Sequence, residues 1–257
     1  MWDKASVHPD AQIGEGTKID AFASISADVV IGKNCWVASN AVIMDGARIG
    51  DNVRIFPGAV ISAIPQDLKF QGEKTTTEIG DNSTIREFVT INRGTSDKHK
   101  TAIGKNCLLM AYVHVAHDCI LGDYCILANN ATLAGHVTID DHAILEGFVA
   151  VQQFIKIGAH AFIAGTSKVR KDVPPFVRAA REPLAYSGIN SVGLRRRGFS
   201  EEDITLIEHT YRIIYIQHQN TSKALDVVRE EIEANEHREA ILGFISNSEK
   251  GVIRGNI

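Results

Sequence analysis

The sequence predicts a mainly β protein, a parallel β-helix of hexapeptide repeats that is followed by a C-terminal α-helical domain. Aliphatic residues recur at every sixth position up to Val169, and helical spacing replaces this repeat near Ser200. Glycine is frequent (21 residues) while aromatic residues make up only 7%, which indicates tight bends around an aliphatic core. With 44% hydrophobic and 23% charged residues, the composition is that of a folded soluble protein and excludes a disordered chain.

The period of six is carried by 25 positions, all of them Ile, Leu or Val. They form three runs, from Val7 to Ile61, from Ile79 to Ile91 and from Ile103 to Val169. One face of a helix repeats about every 3.6 residues and one face of a strand every two residues, so neither explains a period of six. A short strand plus a corner does, and three such units make a triangular coil of about 18 residues whose aliphatic side chains point inward.

The repeat is interrupted at residues 62–78 and 92–102, both rich in polar and charged residues. Insertions in a solenoid leave the coil as loops on one face, often the binding face. We therefore expect two functional loops at these positions.

All four cysteines occupy the small-residue slot four positions after an aliphatic residue: Cys35, Cys107, Cys119 and Cys125. This placement favours small buried filler over a metal cluster or a redox pair. The first ten residues contain no apolar signal core, so we expect reduced thiols and a cytoplasmic protein.

Two function classes are disfavoured by charge and hydropathy. The net charge of −4 argues against general nucleic-acid binding, which needs clustered positive charge. No run of 18 apolar residues exists, so we expect no membrane span.

The last third of the chain predicts helices, with a boundary that divides the β-helix (1–189) from the helical domain (190–257). Ser200 followed by three acidic residues is typical of a helix start. Three apolar stripes at helical spacing follow: Ile204, Ile207, Tyr211 and Ile214; Leu225, Val228 and Ile232; and Ile241, Leu242, Phe244 and Ile245.

The richest polar cluster lies around Val115, where His114 and His117 flank an inward position. A step of 18 residues places His117, Gly135 and Gln153 in one column at a spacing of about 4.8 Å. We interpret this column as a general base, a backbone N–H donor and a substrate contact. Asp118 heads the adjacent column, before His136 and Phe154, and is a candidate to orient the histidine.

Two alternatives stay open for this cluster. It could be a polar ladder without function, or a zinc site, since zinc binds three or four ligands. His114 and His117 lie close in sequence, and His136 is one coil away. The histidine spacing does not favour zinc, so we expect no metal. Separately, Arg195–Arg197 indicates either a phosphate site or a solvated basic run.

Five segments together resemble the bacterial UDP-N-acetylglucosamine O-acyltransferases that begin lipid A biosynthesis. The segments are 90–95, 114–119, 127–136, 172–175 and 193–199, of which the second and third are the most specific. The resemblance implies a left-handed β-helix and a homotrimer. It also implies transfer of a 3-hydroxyacyl chain from acyl carrier protein to the sugar 3-hydroxyl, with no cofactor beyond the carrier's phosphopantetheine and no covalent intermediate.

The resemblance also implies residue roles. His117 would be the base, Asp118 its support and Gly135 the N–H donor to the oxyanion. The implied contacts to sugar, diphosphate or acyl chain are Asp67, Lys69, His114, His136 and Gln153. Asn190, Arg196 and Arg197 would face the nucleotide, and Gly165 would leave room for a long acyl chain.

Three positions depart from the family pattern, namely Asn92, Gln152 and Val192, and we expect the sugar and nucleotide contacts to differ in detail there. An N-acyltransferase acting on a related UDP-amino sugar is an alternative within enzymes. Outside this chemistry, the alternatives are a non-catalytic β-helix scaffold and a zinc-dependent hydratase.

Overall fold

Each repeat of six residues forms a strand of about two residues and a corner, and three repeats close one coil. The structure, a computed structural model, describes residues 4–218 and 220–255. The two ends of the predicted domain ranges, residues 1–3 and 256–257, therefore lie outside it, as does Gln219. The predicted fold class, a β-helix of hexapeptide repeats followed by helices, is confirmed.

The strands follow one another in chain order along the whole coil. The first nine are β1 (Ser6–Val7), β2 (Gln12–Ile13), β3 (Lys18–Ile19), β4 (Ser24–Ile25), β5 (Val30–Ile31), β6 (Trp36–Val37), β7 (Val42–Ile43), β8 (Ala47–Ile49) and β9 (Arg54–Ile55). The next nine are β10 (Val60–Ala63), β11 (Thr76–Ile79), β12 (Thr84–Ile85), β13 (Thr90–Asn92), β14 (Lys100–Ile103), β15 (Leu108–Leu109), β16 (His114–Val115), β17 (Ile120–Leu121) and β18 (Ile126–Leu127). The last nine are β19 (Thr132–Leu133), β20 (Thr138–Ile139), β21 (Ile144–Leu145), β22 (Ala150–Val151), β23 (Lys156–Ile157), β24 (Phe162–Ile163), β25 (Lys168–Val169), β26 (Val177–Ala180) and β27 (Ala185–Ile189).

Every third strand joins the same sheet, so the strands build the three faces of a prism. Sheet 1 runs from β1 to β25, sheet 2 from β2 to β23, and sheet 3 from β3 to β24 with β26 and β27 added at its end. Neighbouring strands up to β26 are parallel, and β16 pairs with β19 at an offset of 18 residues, His114 opposite Thr132. The inward aliphatic residues are buried, as are all four cysteines, which are free.

The two insertions change the register without breaking the coil. Where the first loop enters, β10 pairs with β13 at an offset of 30 residues, Val60 opposite Thr90. Where the second enters, β13 pairs with β16 at an offset of 24, Thr90 opposite His114. Both loops connect a sheet 1 strand to the next sheet 2 strand, at 64–75 and 93–99. They therefore leave the prism along one edge, which we call the loop-bearing edge.

The corners are tight, and one residue at each takes a left-handed backbone conformation. On the loop-bearing edge, Asp118, His136 and Phe154 have φ values of 59°, 63° and 68°. Asn34 and Asn106, on the edge between sheets 2 and 3, have the same conformation. The left-handed corners thus belong to the coil and do not single out the polar cluster.

The helical part contains α1 (Ser191–Arg196), α2 (Glu201–Arg212), a π-helical turn (Ile213–Gln217), α3 (Thr221–Glu231) and α4 (Glu236–Ser246). The helix start predicted at Ser200 is confirmed as a capping box with Asp203. The π-helical turn was not predicted; it leaves both Ile213 and Ile214 buried. Among the described residues, no helix is both long and apolar enough to cross a membrane.

A hairpin before the helices was not predicted either, because residues 176–198 show no period. After Pro175 the chain resumes parallel pairing through β26, which adds to β24, and β27 then returns antiparallel. Tyr211 of α2 donates a buried hydrogen bond of 2.6 Å to the Pro175 carbonyl. The helices are thereby fixed to the last coil of the prism.

Candidate active site

His117 and Asp118 form a corner of the loop-bearing edge, between β16 and β17. His117 is 7% exposed and Asp118 is fully buried. Their side chains meet, with His117 Nδ1 2.8 Å from Asp118 Oδ2. A charged side chain at this depth needs partners, and the second loop supplies them.

Four donors saturate the Asp118 carboxylate. Thr95 donates its backbone N–H to Oδ1 at 3.0 Å and its hydroxyl to Oδ2 at 2.6 Å. Lys98 donates its backbone N–H to Oδ1 at 3.2 Å, and His117 donates to Oδ2. An ionised carboxylate accepts about four hydrogen bonds, so none of its lone pairs is spare.

The electrostatics of the pair follow from these bonds. Burial opposes ionisation of Asp118, but the hydrogen bonds from Thr95, His117 and Lys98 outweigh it and hold the pKa of the carboxyl below its usual range. An ionised Asp118 can only accept a hydrogen bond, so His117 donates from Nδ1. The neutral tautomer that donates in this way has its lone pair on Nε2. The corner thus presents a proton acceptor that faces away from Asp118.

Gly135 lies directly against this ring, one coil further on. A Cβ placed on Gly135 would be 2.6 Å from Cε1 and 2.7 Å from Nε2 of His117. The carbonyl of His117 accepts a hydrogen bond from the N–H of His136 at 3.0 Å, which locks the two corners together. Within the described chain, no group accepts a hydrogen bond from the Gly135 N–H. Glycine is required here because any side chain would occupy the space of the imidazole.

His136 continues the second predicted column. Its Nε2 is 3.7 Å from Asp118 Oδ2, and its ring stacks on Phe154 with centroids 4.6 Å apart. Burial lowers the pKa of His136, although the charge of Asp118 opposes this. Gln153 lies exposed on the same edge.

Both loops reach this corner. Asp67 of the first loop places Oδ2 3.9 Å from His117 Nε2 and accepts a hydrogen bond from the Lys69 N–H at 3.0 Å. The Lys69 side chain is exposed. Asp97 of the second loop places Oδ2 3.0 Å from His136 Nδ1. The edge thus surrounds the imidazole of His117 with hydrogen-bonding groups from three segments of the chain.

His114 precedes the corner by three residues and lies in β16 of sheet 1. Its Nδ1 is 2.8 Å from Thr90 Oγ1, and burial lowers its pKa. It pairs with Thr132 and therefore stands outside the column of His117 and Gly135.

The remaining predicted site residues are on other edges of the same chain. Gly165 is at the corner between β24 and β25, where its N–H donates to Glu146 at 3.0 Å. Arg197 lies at the edge between sheets 2 and 3 and donates to the His142 carbonyl at 3.0 Å. Asn190 lies nearby, where it donates to the His160 carbonyl at 2.9 Å and caps α1. A single chain therefore does not bring these residues to His117.

The three successive arginines have different environments. Arg195 forms a bidentate pair with Glu201, at 2.6 and 2.8 Å. Arg196 is exposed, and Arg197 is half-buried with Nη1 lacking a hydrogen-bond partner. Glu201 thus neutralises Arg195, and the described residues offer no such ion pair to Arg196 or Arg197.

The positions that depart from the family pattern differ in burial. Asn92 is 2% exposed and donates to the Ile64 carbonyl at 3.3 Å, so it braces the first loop. Gln152 and Val192 are exposed. Neither Gln152 nor Val192 lies against the His117–Asp118 pair.

Several contributors were missed from the sequence. Thr95 and Lys98 lie inside the second frame break, where the repeat predicts no position, and Thr101 accepts the Asp118 N–H at 2.9 Å. A ring stack at the edge between sheets 2 and 3 was also missed, although its members are 18 or 16 residues apart: Tyr124, His142, His160 and Phe176. Burial, followed by the charges of His142 and Arg197, lowers the pKa of His160 to about 4.

One group of possible metal ligands exists among the described residues. Atoms of His117, Asp118 and His136 lie within 4.8 Å of one another. The carboxylate has no spare lone pair, and Nδ1 of His117 is occupied by the N–H that donates a hydrogen bond to Asp118. The donor set therefore does not fit zinc, which needs three or four free ligands.

Comparison with known proteins gives one consistent family. The model described as UDP N-acetylglucosamine O-acyltransferase, domain 2, matches residues 172–253, and that of the bacterial transferase hexapeptide matches 28–63 and 100–135. The chain is 45% identical over 259 residues to the acyl-[acyl-carrier-protein]–UDP-N-acetylglucosamine O-acyltransferase of Herminiimonas arsenicoxydans, with 97% of each chain covered. It is also 45% identical over 260 residues to the enzyme of that name in Chlorobaculum parvum, with 96% of each covered.

Solved structures agree over nearly the whole length. The UDP-N-acetylglucosamine acyltransferase of Bacteroides fragilis 9343 superposes with a TM-score of 0.97 at 52% identity, covering 99% of this chain and 100% of that one. The Francisella novicida UDP-N-acetylglucosamine acyltransferase gives a TM-score of 0.95 at 39% identity, covering 98% of this chain and 93% of that one.

We predict that the protein binds no stoichiometric zinc at this corner, since Asp118 is saturated by its own donors. Elemental analysis of protein purified without chelators, followed by zinc titration calorimetry, checks this. Zinc content well below one ion per chain is expected, and it should be the same in His117→Ala and in the surface control His8→Ala. One zinc per chain that disappears in His117→Ala alone would contradict the prediction.

Proposed function

Since this chain belongs to the UDP-N-acetylglucosamine O-acyltransferase family, we propose that His117 is the general base of its reaction. That reaction moves an acyl chain from acyl carrier protein to UDP-N-acetylglucosamine and is the first step of lipid A biosynthesis. The observation that carries the proposal is the contact of His117 Nε2 with the Gly135 corner, beside an N–H that is free within the described chain.

The transfer then proceeds by direct attack. Nε2 of His117 takes the proton from the sugar 3-hydroxyl while the hydroxyl oxygen attacks the thioester carbonyl. The Gly135 N–H donates to the oxyanion that develops on that carbonyl. As the tetrahedral intermediate collapses, the carbon–sulfur bond breaks, and the proton on Nε2 passes to the departing thiolate. The thioester already activates the acyl group, so no covalent enzyme intermediate and no further cofactor are required.

Asp118 acts through His117. Its carboxylate fixes the tautomer and stabilises the imidazolium that forms during attack. Because Thr95 and Lys98 hold Asp118 from the second loop, the geometry of the base depends on that loop. Asp67 lies where a sugar hydroxyl near Nε2 would find an acceptor, which supports its assignment as an acceptor-substrate contact.

We further propose that the protein works as a homotrimer in which neighbouring subunits share each site. His117 is on the loop-bearing edge, while Arg197 and Gly165 are on the two other edges of the prism. A three-fold assembly of prisms places an edge of one subunit beside a different edge of the next. The nucleotide contacts of Arg196 and Arg197 would then come from the neighbouring subunit. Four free, buried cysteines support the expected location in the reducing cytoplasm.

We predict that His117→Ala lowers kcat by about 10²–10⁴-fold, the usual cost of losing a general base. The side chain is at a corner and fills no inward position, so the fold should persist, with a melting temperature lowered only by the loss of one hydrogen bond to Asp118. His114→Ala is the matched control and should lose less, because His114 lies outside the column. Steady-state kinetics that show the reverse order would reassign the base to His114.

Sharing of the site predicts rescue between two defective chains. Co-expressed His117→Ala and Arg196→Ala/Arg197→Ala chains should recover about a quarter of wild-type turnover, since one neighbouring pair in four combines two intact halves. His117→Ala with Asp118→Ala should recover none, because both lesions lie on the same edge. Absence of rescue in the first mixture, with trimers confirmed by light scattering, would place the whole site within one chain.

A further inference from the structure

The ring column beside the base ends on a lysine of the helical part. Ring centroids of His117 and His136 are 5.1 Å apart, those of His136 and Phe154 are 4.6 Å apart, and Lys250 Nζ lies 5.3 Å from the Phe154 centroid. His136 and Phe154 each lie one coil further along the edge, so the three steps place the ammonium up to about 15 Å from the base. The cation therefore lies on the loop-bearing edge although it is distant in sequence.

Lys250 is held there by its own loop. Ser248 donates a hydrogen bond of 2.7 Å to Asp172, whose other carboxylate oxygen accepts the backbone N–H of Lys156 at 2.8 Å. On the far side of the lysine, the Gly251 carbonyl accepts the Asp172 N–H at 3.0 Å. Asp172 is 1% exposed. This buried aspartate thus ties both flanks of Lys250 to the coil that carries Phe154.

The surface between the largely buried His136 ring and Lys250 is open to solvent. Phe154 is 47% exposed, and Gln153 beside it is also exposed. Within the described residues, no carboxylate lies within ion-pair distance of Lys250 Nζ. A strip of imidazole, amide, aromatic ring and free ammonium therefore runs up the edge from the reactive corner.

We propose that Lys250 binds the phosphate of the donor's phosphopantetheine arm, an inference that rests on the proposed function. Thirteen bonds separate the thioester sulfur from the phosphorus, which spans about 15 Å at the reach of about 3.3–3.6 Å per three bonds of extended chain. With the thioester at Gly135, the extended arm lies along the strip. Its amides then lie beside Gln153, and its phosphate lies at Lys250.

The diphosphate of the acceptor is the other phosphate source. Its distance from the reacting hydroxyl does not match the distance from His117 to Lys250. Five bonds join the sugar 3-hydroxyl oxygen to the nearer phosphorus, which is about 6 Å on the same scale. With that hydroxyl at His117 Nε2, both phosphates stay well short of Lys250. The phosphate at Lys250 is accordingly that of the donor.

Two truncated donors isolate the phosphate, namely a 3-hydroxyacyl phosphopantetheine and the matching 3-hydroxyacyl pantetheine. The wild type should prefer the phosphorylated donor in kcat/KM by about three- to tenfold, as for an exposed charge-assisted contact. Lys250→Gln should abolish this preference and raise KM for acyl carrier protein, with KM for UDP-N-acetylglucosamine unchanged. Lys250→Arg should keep the preference, and so should Lys223→Gln, an exposed lysine of α3 that serves as the charge control.

Failures of the two proposals are distinguishable. A wild type that transfers no acyl group from acyl carrier protein overturns the proposed function itself. A wild type that uses acyl carrier protein but does not distinguish the truncated donors overturns the Lys250 assignment alone. The same holds if Lys250→Gln keeps the preference, or if it raises KM for UDP-N-acetylglucosamine instead.

Discussion

The parallel hydrogen bonding of one coil to the next is the interaction on which the rest of this structure depends. Outside the two insertions, each coil repeats the previous one at a fixed offset, so residues 18 apart in sequence become neighbours along an edge. Buried aliphatic side chains hold the register, because a slip of one residue would expose them. Chemistry at an edge is therefore built by placing different residues at equivalent corners, as with His117 and Gly135.

The second constraint is the burial of one carboxylate. Asp118 is removed from solvent and remains ionised because a loop outside the repeat supplies three of its four hydrogen bonds. The prism supplies the fourth through His117. The loop therefore has a chemical role, since it sets the charge that fixes the tautomer of the base. A second buried aspartate, Asp172, likewise accepts hydrogen bonds from both the prism and a loop. Lys156 of the prism donates to one oxygen, and Ser248 of the loop that carries Lys250 donates to the other.

The parts of the protein that follow the repeat could be predicted, and the parts that leave it could not. The period alone places Val115 inward and brings Gly135 to His117, since both follow from the 18-residue coil. Thr95 could not be assigned to Asp118, because an inserted loop has no position in the frame. The edge beside Arg197 could not be predicted either, because Arg197 follows the repeat and reaches that edge by its bond to the His142 carbonyl. The hairpin of β26 and β27 could not be predicted because its sequence has no period, and it depends on packing against β24 and α2.

The central claim is that coil stacking brings the Gly135 backbone and the His117 ring together for catalysis, and Gly135→Ala tests it most directly. The added methyl would lie 2.6 Å from the ring, so it must displace the imidazole. Gly243→Ala in α4 is the control, since a Cβ there would meet no atom within 4 Å. We expect kcat to fall by about 10²-fold or more in Gly135→Ala alone, the usual cost of disturbing an oxyanion donor and its base, with melting temperatures of both variants near the wild type. Wild-type kcat in Gly135→Ala would contradict the account.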